Sequence, residues 1–263
     1  SDNWFRPVNF VNAPDGSLYM LDMYRETIEH PYSIPAEIKA FLDLTSGHDR
    51  GRIYRLVSPD MKRIRPQPLG DMPILQIASQ VNHNNAWHRM TAMRLLNERQ
   101  NRDAVPTLHE ILSGSERPLG RVHALYGLQS LGSLKPRQVR QGINDKHPRV
   151  RAHAVKLSEL FLTERLDEDI LSALLLLTND PSEHVRFQLA LTLGETSDDR
   201  AIAGLARLAL DVGNGTDTRT AILSSVAGTA DKLAQRLITS DQSDSARILT
   251  LLSQLGQTAG SNP

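Results

Sequence analysis

The densest polar chemistry in the sequence lies in one short stretch near the front of the chain. Asp22, Arg25, Glu29 and His30 stand within nine consecutive positions. Carboxylates suit a hard cation, a guanidinium suits a planar acidic cofactor, and an imidazole suits proton abstraction from an alcohol. These residue types therefore predict a cofactor-binding site. The alternative is that Asp22 and Arg25 brace a strand end, while His30 and Pro31 turn the chain.

Other kinds of chemical site are excluded or poorly matched. The sequence has no cysteine, which excludes thiol catalysis, disulfides, iron–sulfur clusters and covalent c-type haem attachment within these residues. His83 and His88 have no carboxylate at metal-ligand spacing, so they predict a polar loop between helices and no metal site. Gly213-Asn214-Gly215 lacks the lysine and the preceding strand of a phosphate-binding loop, so it predicts an interhelix turn.

Length and charge narrow the class of partner. The 263 residues carry 30 Lys and Arg against 30 Asp and Glu, so the formal net charge is zero. Duplex DNA and anionic membranes select strongly basic surfaces, and this balance argues against both as partners. No apolar run approaches the roughly 18 residues of a transmembrane helix. The chain begins with Ser, which predicts a piece cut from a longer protein.

The first 58 residues follow the period of β-strands. Two short alternating runs, Val8 to Asn12 and Ser17 to Met23, flank Pro14-Asp15-Gly16, whose residue types favour a tight turn and predict a β-hairpin. Gly51 to Val57 alternates and is rich in β-branched and aromatic residues, which predicts a third strand. Ala36 to Leu44 has helical spacing. Because three strands are marginally stable alone, we expect this region to need partner strands or the helices that follow.

From Asp71 onward the sequence repeats a pair of short amphipathic helices. An arginine recurs inside the second helix of each pair at spacings of 28 to 35 residues, and apolar residues recur three, four and seven positions after it. These offsets share one helix face, and a lone pair cannot cover such a face, so the pairs must stack. The predicted fold is mainly α: an α-solenoid of about six helix pairs after a small β-hairpin and strand segment. The repeated arginines are Arg89, Arg121, Arg151, Arg186 and Arg219, with Arg247 in a degenerate sixth copy.

Two copies of this repeat resemble HEAT repeats of the short bacterial type. The resemblance lies in the segments Asp145 to Ala154 and Asp180 to Leu189. In that family an Asp and an Arg at this separation commonly form a polar ladder between repeats, which implies structural roles for Asp145 and Asp180 beside the arginines. At the same offset in the other copies stand His83, Ser115, Gly213 and Asp241. The ladder is therefore predicted only in the middle of the array.

The front of the chain resembles a second family. The resemblance is carried by the segments Trp4 to Val8, Ala13 to Tyr19, Asp22 to Arg25, Ile28 to Pro31 and Gly51 to Arg55. They are similar to the closing segment of the β-propeller in the membrane-bound dehydrogenase proteins of planctomycete and verrucomicrobial bacteria. Those propellers are similar to quinoprotein sugar dehydrogenases of the glucose or sorbosone type, and HEAT repeats and a c-type haem domain commonly follow them.

This second resemblance implies a domain order and a setting. Residues 1–58 would close the propeller, 59–70 would link, 71–257 would form the repeats and 258–263 a tail. Asp22, Arg25, Glu29 and His30 would line the propeller mouth. Pyrroloquinoline quinone (PQQ) and Ca²⁺ would bind in the parent propeller, haem c would bind in a separate domain, and this chain itself would hold no cofactor. The parent would be periplasmic or exported.

The solvent-facing side of the second helices offers a surface for a partner. Residues two and five positions after the repeated arginines stay polar, and stacked helices would align them. They are Thr91, Arg94, His123, Tyr126, His153, Lys156 and Gln188. This stripe predicts a protein-binding groove, and the alternative is an ordinary solvated face.

The sequence favours a non-catalytic scaffold that binds another protein or domain, within a larger exported dehydrogenase-like protein. No residue is predicted to be catalytic, and neither a nucleic-acid partner nor a transmembrane segment is predicted. The alternative function is a portion of a PQQ-dependent sugar or alcohol dehydrogenase, which passes electrons to a haem domain outside this chain.

Overall fold

The computed structural model of the protein describes residues 2–28, 30–62, 65–163, 166–211, 215–241 and 245–260. Contacts divide the chain into two units, Ser1–Leu95 and Leu96–Pro263. The architecture is mainly helical, with a small three-stranded antiparallel sheet at the front of the first unit. This confirms the predicted fold class.

The sheet is built from a hairpin and one further strand. Its strands, in chain order and each antiparallel to the next, are β1 (Pro7–Asn12), β2 (Leu18–Asp22) and β3 (Arg52–Leu56). The hairpin turn closes because the Asp15 carboxylate accepts bonds of 2.9 Å and 2.6 Å from the Ser17 amide and hydroxyl. Gly16 has a φ of +87°, a left-handed conformation that glycine adopts at little cost. The predicted hairpin and third strand are confirmed.

Both faces of this sheet carry exposed apolar side chains. Directly opposed residues share a face, so Phe10, Met20 and Tyr54 lie on one side, and Val11 and Tyr19 lie on the other. Phe10 is 55% exposed, and Val11 is exposed as well. An isolated antiparallel sheet normally keeps one face polar. Apolar residues on both faces are typical of a sheet that is packed between two other layers.

The helices of the first unit are short except for the last. They are α1 (Ala36–Lys39), α2 (Ile74–Ser79) and α3 (Ala86–Arg99), of which α3 continues into the second unit. The helix predicted to run to Leu44 ends at Lys39. No residue of α1 is buried and Phe41 is exposed. Without an apolar face to bury, a short helix gains little from extension.

The second unit consists of helix pairs. They are α4 (Val105–Gly114) with α5 (Pro118–Ser130), α6 (Pro136–Ile143) with α7 (Pro148–Ser158), α8 (Glu168–Leu176) with α9 (Glu183–Leu193), α10 (Asp199–Leu210) with α11 (Thr216–Ser224), and α12 (Ala230–Ile238) with α13 (Ala246–Gly260). The second helices α5, α7, α9, α11 and α13 contact one another in succession. The first helices α6, α8, α10 and α12 do the same. The pairs therefore stack in two layers.

Local sequence signals set where these helices begin. Pro118, Pro136 and Pro148 occupy the first helical position of α5, α6 and α7, where the missing amide costs no bond. Asp167 and Asp198 cap α8 and α10, since their carboxylates accept bonds from backbone amides of the first turn.

The apolar stripe that follows each repeated arginine forms the core between the layers. Ala124, Leu125 and Leu128 are fully buried in α5, and Leu189 is fully buried in α9. At the polar exception in α7, the Ser158 hydroxyl donates a 2.6 Å bond to the carbonyl of Val155 in its own helix. The predicted stripe is confirmed.

One glycine lets two helices approach closely within a pair. A Cβ on Gly142 of α6 would lie 2.7 Å from the Cβ of Ala154 in α7. That distance is far below van der Waals contact, so this position admits no larger residue without a shift of the helices.

Candidate functional site

The repeated arginines hold the loops that join the two helices of each pair. In each of four copies a guanidinium Nη1 donates to the carbonyl oxygen of the residue six positions earlier. The pairs are Arg89 with His83 (2.8 Å), Arg121 with Ser115 (2.6 Å), Arg151 with Asp145 (2.9 Å) and Arg186 with Asp180 (2.6 Å). The six-residue spacing therefore places each guanidinium within hydrogen-bond distance of the backbone of the loop before its helix.

The same arginines also bond to the next repeat. Arg121 forms a bidentate pair with Asp145 at 2.6 Å and 2.7 Å, and Arg151 forms the equivalent pair with Asp180 at 2.7 Å and 2.8 Å. The Arg121 side chain is 5% exposed, so its charge depends on this partner. The structure places the ladder at the two predicted positions.

A third rung extends the ladder by one repeat. Arg186 Nε lies 3.5 Å from Asp211 Oδ2. Asp211 precedes Arg219 by eight positions, whereas Asp145 and Asp180 precede their arginines by six. Counting at a fixed offset falls instead on Gly213, which lies outside the described residues. A search that allowed the offset to vary by two would have found this rung.

Bonds to the Asp145 carboxylate favour its charged form. Burial raises the pKa of Asp145, but the Arg121 guanidinium and the His147 amide, which donates a 2.8 Å bond, outweigh burial and bring the pKa below its ordinary value. Asp145 is therefore ionised at neutral pH and serves as an anchor for the Arg121 cation.

Among the described residues, the last two repeated arginines have hydroxyl and carbonyl partners. Arg219 donates a 3.4 Å bond to the Thr216 hydroxyl, and Arg247 donates a 2.5 Å bond to the carbonyl of Asp211. Burial lowers the pKa of Arg247, whose Nε is buried without a partner.

The outer face of the second helices is the surface formed by the solvent-facing residues of α5, α7 and α9. On it the Tyr126 hydroxyl lies 3.1 Å from His153 Nδ1, and the two rings meet edge to face at 5.5 Å. Burial raises the pKa of Tyr126, while burial and the Arg149 charge lower the pKa of His153. At neutral pH the imidazole is therefore uncharged and its Nδ1 accepts from the phenol.

A second polar chain joins α7 to α9 on the same face. Lys156 pairs with Glu159 at 2.7 Å, and the Thr192 hydroxyl donates a 2.8 Å bond to the other oxygen of Glu159. Gln188 then donates a 3.2 Å bond to Thr192. Glu159 and Thr192 were missing from the predicted stripe. Their positions three and four residues after Lys156 and Gln188 are the signal that could have identified them.

The structure brings together four of the seven stripe residues, in two groups. Tyr126 bonds directly to His153, and Lys156 is linked to Gln188 through Glu159 and Thr192. The remaining positions are a half-buried His123 on α5, and a half-buried Thr91 and an exposed Arg94 on α3 in the first unit. The assignment of the stripe to partner binding stays a prediction.

Comparison with known families agrees with the repeat architecture. Residues 136–227 match the family model described as HEAT repeats. The chain contains HEAT repeats. Residues 1–60 match a domain of unknown function, DUF7133. No curated protein shows significant similarity to the chain.

Two of the solved structures that match the chain are of engineered proteins. One crystal structure of an engineered protein shares 14% identity over 73% of this chain and 100% of its own, with a TM-score of 0.39. Another shares 15% identity over 71% of this chain and 98% of its own, with a TM-score of 0.37. In the described segments, no helix has the length and apolar character needed to cross a membrane.

In the first unit, the described residues of the predicted cofactor cluster, Asp22, Arg25 and His30, form hydrogen bonds with backbone groups. Asp22 is 3% exposed, and its Oδ1 accepts bonds from the amides of Arg6 (2.7 Å) and Tyr24 (2.9 Å). Arg25 donates to the carbonyl of Leu44. His30 Nδ1 accepts from the amide two residues on. Glu29 lies outside the described residues.

These contacts match strand-end bracing and do not fit a bound cofactor. The Asp22 carboxylate is withdrawn from solvent, and its Oδ2 is buried without a partner, so a Ca²⁺ ion has no exposed oxygen to bind there. Arg25 donates one of its N–H groups to a backbone carbonyl. Cofactor binding at this cluster stays a prediction. Among the described residues, no three side chains of the metal-ligating types come together.

The loop before α3 joins the hairpin to the first HEAT-like pair inside the first unit. Asn85 Nδ2 donates a 2.7 Å bond to the carbonyl of Ala13, and His88 Nε2 donates a 2.9 Å bond to the carbonyl of Pro14. The rings of His83 and His88 lie tilted at 34° to each other, with their centroids 4.1 Å apart. The prediction of a polar loop is correct for His83, whereas His88 lies in the first turn of α3.

Proposed function

We propose that this chain is a non-catalytic helical-repeat scaffold that presents the outer face of the second helices to a partner protein or domain. The observation that carries the proposal is that the polar side chains of the repeats fall into an inward-facing set and a surface set. Arg121 and Arg151 are turned inward and satisfied by loop carbonyls and carboxylates, whereas Tyr126, His153 and Lys156 are arranged across neighbouring helices at the surface.

The outer face contributes little to the core. Lys156 and His153 are exposed, and the half-buried Tyr126 meets His153 through one bond and one ring edge. The double variant Tyr126→Ala with His153→Ala is therefore expected to lower stability by no more than about 2 kcal/mol in calorimetry. A loss as large as that of a core variant would make these residues part of the packing and would contradict the proposal.

Site-specific photo-cross-linking tests whether this face meets a partner. A benzoylphenylalanine at position 126, in the chain expressed in its own host, is expected to give a defined cross-linked protein. The matched control places the same group at Leu176, which is 79% exposed on α8 in the other layer of helices. Equal products from both positions, or none from either, would contradict the proposal.

We further propose that the front sheet is the closing segment of a larger β-propeller in an exported, dehydrogenase-like multidomain protein. Its support is the resemblance of residues 4–55 and the exposed apolar side chains on both faces of the sheet, such as Phe10 and Ile53. PQQ and Ca²⁺ would then belong to the remainder of the propeller and haem c to a separate domain. Sequencing the flanking reading frame tests this. Further Pro-Asp-Gly hairpins upstream support it, and a start codon just before Ser1 with a stop after Pro263 contradicts it.

A further inference from the structure

We infer that the outer face of the second helices binds an acidic, extended peptide segment, whose carboxylate is held by Arg149 of α7 beside His184 of α9. This inference rests on the proposed function and names the chemistry of the partner. Arg149 is exposed, and its Nη2 lies 3.2 Å from His184 Nε2. It also lies one helical turn before His153, on the same face of α7.

The charge of Arg149 has no counterion within the described chain. Its bond to His184 joins a cation to an uncharged ring, because Nε2 can accept only when it carries no proton. No carboxylate among the described residues lies within ion-pair distance of Arg149, whereas Arg151, two residues later, has Asp180. Burial and, after it, the charge of Arg149 lower the pKa of His153, one helical turn further along α7.

Helix stability does not account for this arginine. Arg149 stands in the first turn of α7, where the positive end of the helix dipole disfavours a cation. On the first-helix layer, two exposed cations pair with acids of the preceding repeat: Arg200 with Glu168 (2.7 Å) and Lys232 with Asp199 (2.9 Å). An arriving carboxylate would give Arg149 the bidentate partner that it lacks.

The row that contains Arg149 also indicates how a peptide would run. Leu119, Arg149 and His184 each stand two positions before the repeated arginine of their helix. Leu119 is exposed. Packed helices lie about 8–10 Å apart, and an extended chain rises about 3.3 Å per residue. A segment crossing α5 and α7 would therefore place an apolar residue near Leu119 and an acidic residue about three positions further on.

The same observations disfavour a nucleic acid as the occupant. Nucleic-acid binding relies on many phosphate contacts from clustered Lys and Arg. This face instead mixes one unpaired arginine with uncharged rings and with the acidic Glu159 and Glu183. The net charge of the whole sequence is zero.

Fluorescence anisotropy with a labelled peptide tests the inference on the full chain. The probe is a peptide of about 12 residues that repeats Leu-x-x-Glu, and the reference peptide carries Gln in place of Glu. The variant is Arg149→Glu, and the matched control is Arg137→Glu. Arg137 is also exposed at the second position of a helix that begins with Pro, but it lies on α6 in the other layer.

The expected result is binding of the Glu peptide by the wild-type chain, with about tenfold weaker binding by Arg149→Glu and no change for Arg137→Glu. Equal binding of the Glu and Gln peptides, or an equal loss in both variants, overturns the inference. So does tighter binding of a thymidine oligonucleotide of similar length. A cross-linked partner at position 126 without Glu-peptide binding overturns this inference alone and leaves the proposed function standing. Absence of any cross-link contradicts the proposed function itself.

Discussion

The front sheet and the HEAT repeats differ in the solvent exposure of their apolar side chains. In the repeats, the apolar stripe of each second helix is buried, as Leu125 and Leu189 show. In the sheet, Ile53 is 69% exposed and Phe10 is exposed on the other face. Each repeat covers the apolar stripe of its neighbour in the same chain, whereas Phe10, Val11 and Ile53 of the sheet stay exposed in their unit.

The difference shows how each architecture obtains a core. A helix pair needs only a copy of itself beside it, so a solenoid is stabilised by nearest neighbours. A sheet that is apolar on both faces needs a second layer on each side. The repeats are thus expected to respond to core substitutions as a folded domain does, and the sheet is expected to tolerate polar substitutions.

The largest expected effect comes from a charge in the repeat core. Leu125→Asp places a carboxylate where no water or partner reaches it, so we expect a loss of more than about 4 kcal/mol, or no cooperative unfolding. Thermal unfolding followed by circular dichroism measures this. The control Leu176→Asp changes an exposed position and should leave the transition almost unmoved. Similar curves for the two variants would show that the stripe is assigned to the wrong face.

The next largest effect is expected in the buried ladder. Asp180→Ala leaves Arg151 buried without its carboxylate and removes the bond to the Ser182 amide (2.9 Å). The expected loss is about 3–5 kcal/mol in urea unfolding. The control Asp169→Ala breaks the exposed pair with Arg140 and should cost no more than about 1 kcal/mol. Equal losses would mean that a ladder pair contributes no more to stability than an exposed ion pair does.

Acid is expected to weaken the repeats through Asp145. Its pKa in the folded chain lies below the ordinary value of 3.8, so the ionised form stabilises the fold. This contribution is fully present above that ordinary value and is lost as the pH falls through the folded pKa. Unfolding measured from pH 6 down to about pH 2 should therefore show a smaller decline in Asp145→Asn than in the wild type. Parallel declines would assign the acid sensitivity to other carboxylates.

The smallest expected effect on stability comes from a polar substitution on an exposed face of the sheet. Ile53→Thr keeps a β-branched residue in β3 and removes apolar surface that is already exposed, so stability should change by less than about 0.5 kcal/mol. Light scattering should show less self-association, because an exposed apolar sheet face favours it. A loss of several kcal/mol would show that Ile53 is a core residue after all.

Much of the fold could be predicted because its signals are local. The proline and aspartate positions set helix starts, and the offsets after Arg121 and Arg186 gave the buried face. The helix predicted to reach Leu44 is shorter because spacing alone does not reveal whether an apolar face finds cover. The bond of His88 to the carbonyl of Pro14 could not be predicted from the sequence, because the two residues lie 74 positions apart.

The candidate surface was predicted as a row of positions and resolved only by the stacking of repeats. Tyr126 meets His153 across 27 positions of sequence, and Arg149 meets His184 across 35. Which side chains touch depends on the offset between neighbouring helices, and no periodicity within one helix specifies that offset.

The sequence by itself determined that this protein has a small sheet segment, followed along the chain by stacked helix pairs. A repeated apolar stripe has one low-energy solution, which is to bury it against its own copy. Tertiary structure alone decided which polar groups became partners. Arg186 lies within ion-pair distance of Asp211, which stands at a different offset from the other ladder aspartates. The Asp22 carboxylate accepts backbone bonds, and Arg149 bonds to an uncharged His184 ring. The physical reason is range: burial follows from local pattern, whereas a polar bond needs two atoms placed within about 3 Å by distant parts of the chain.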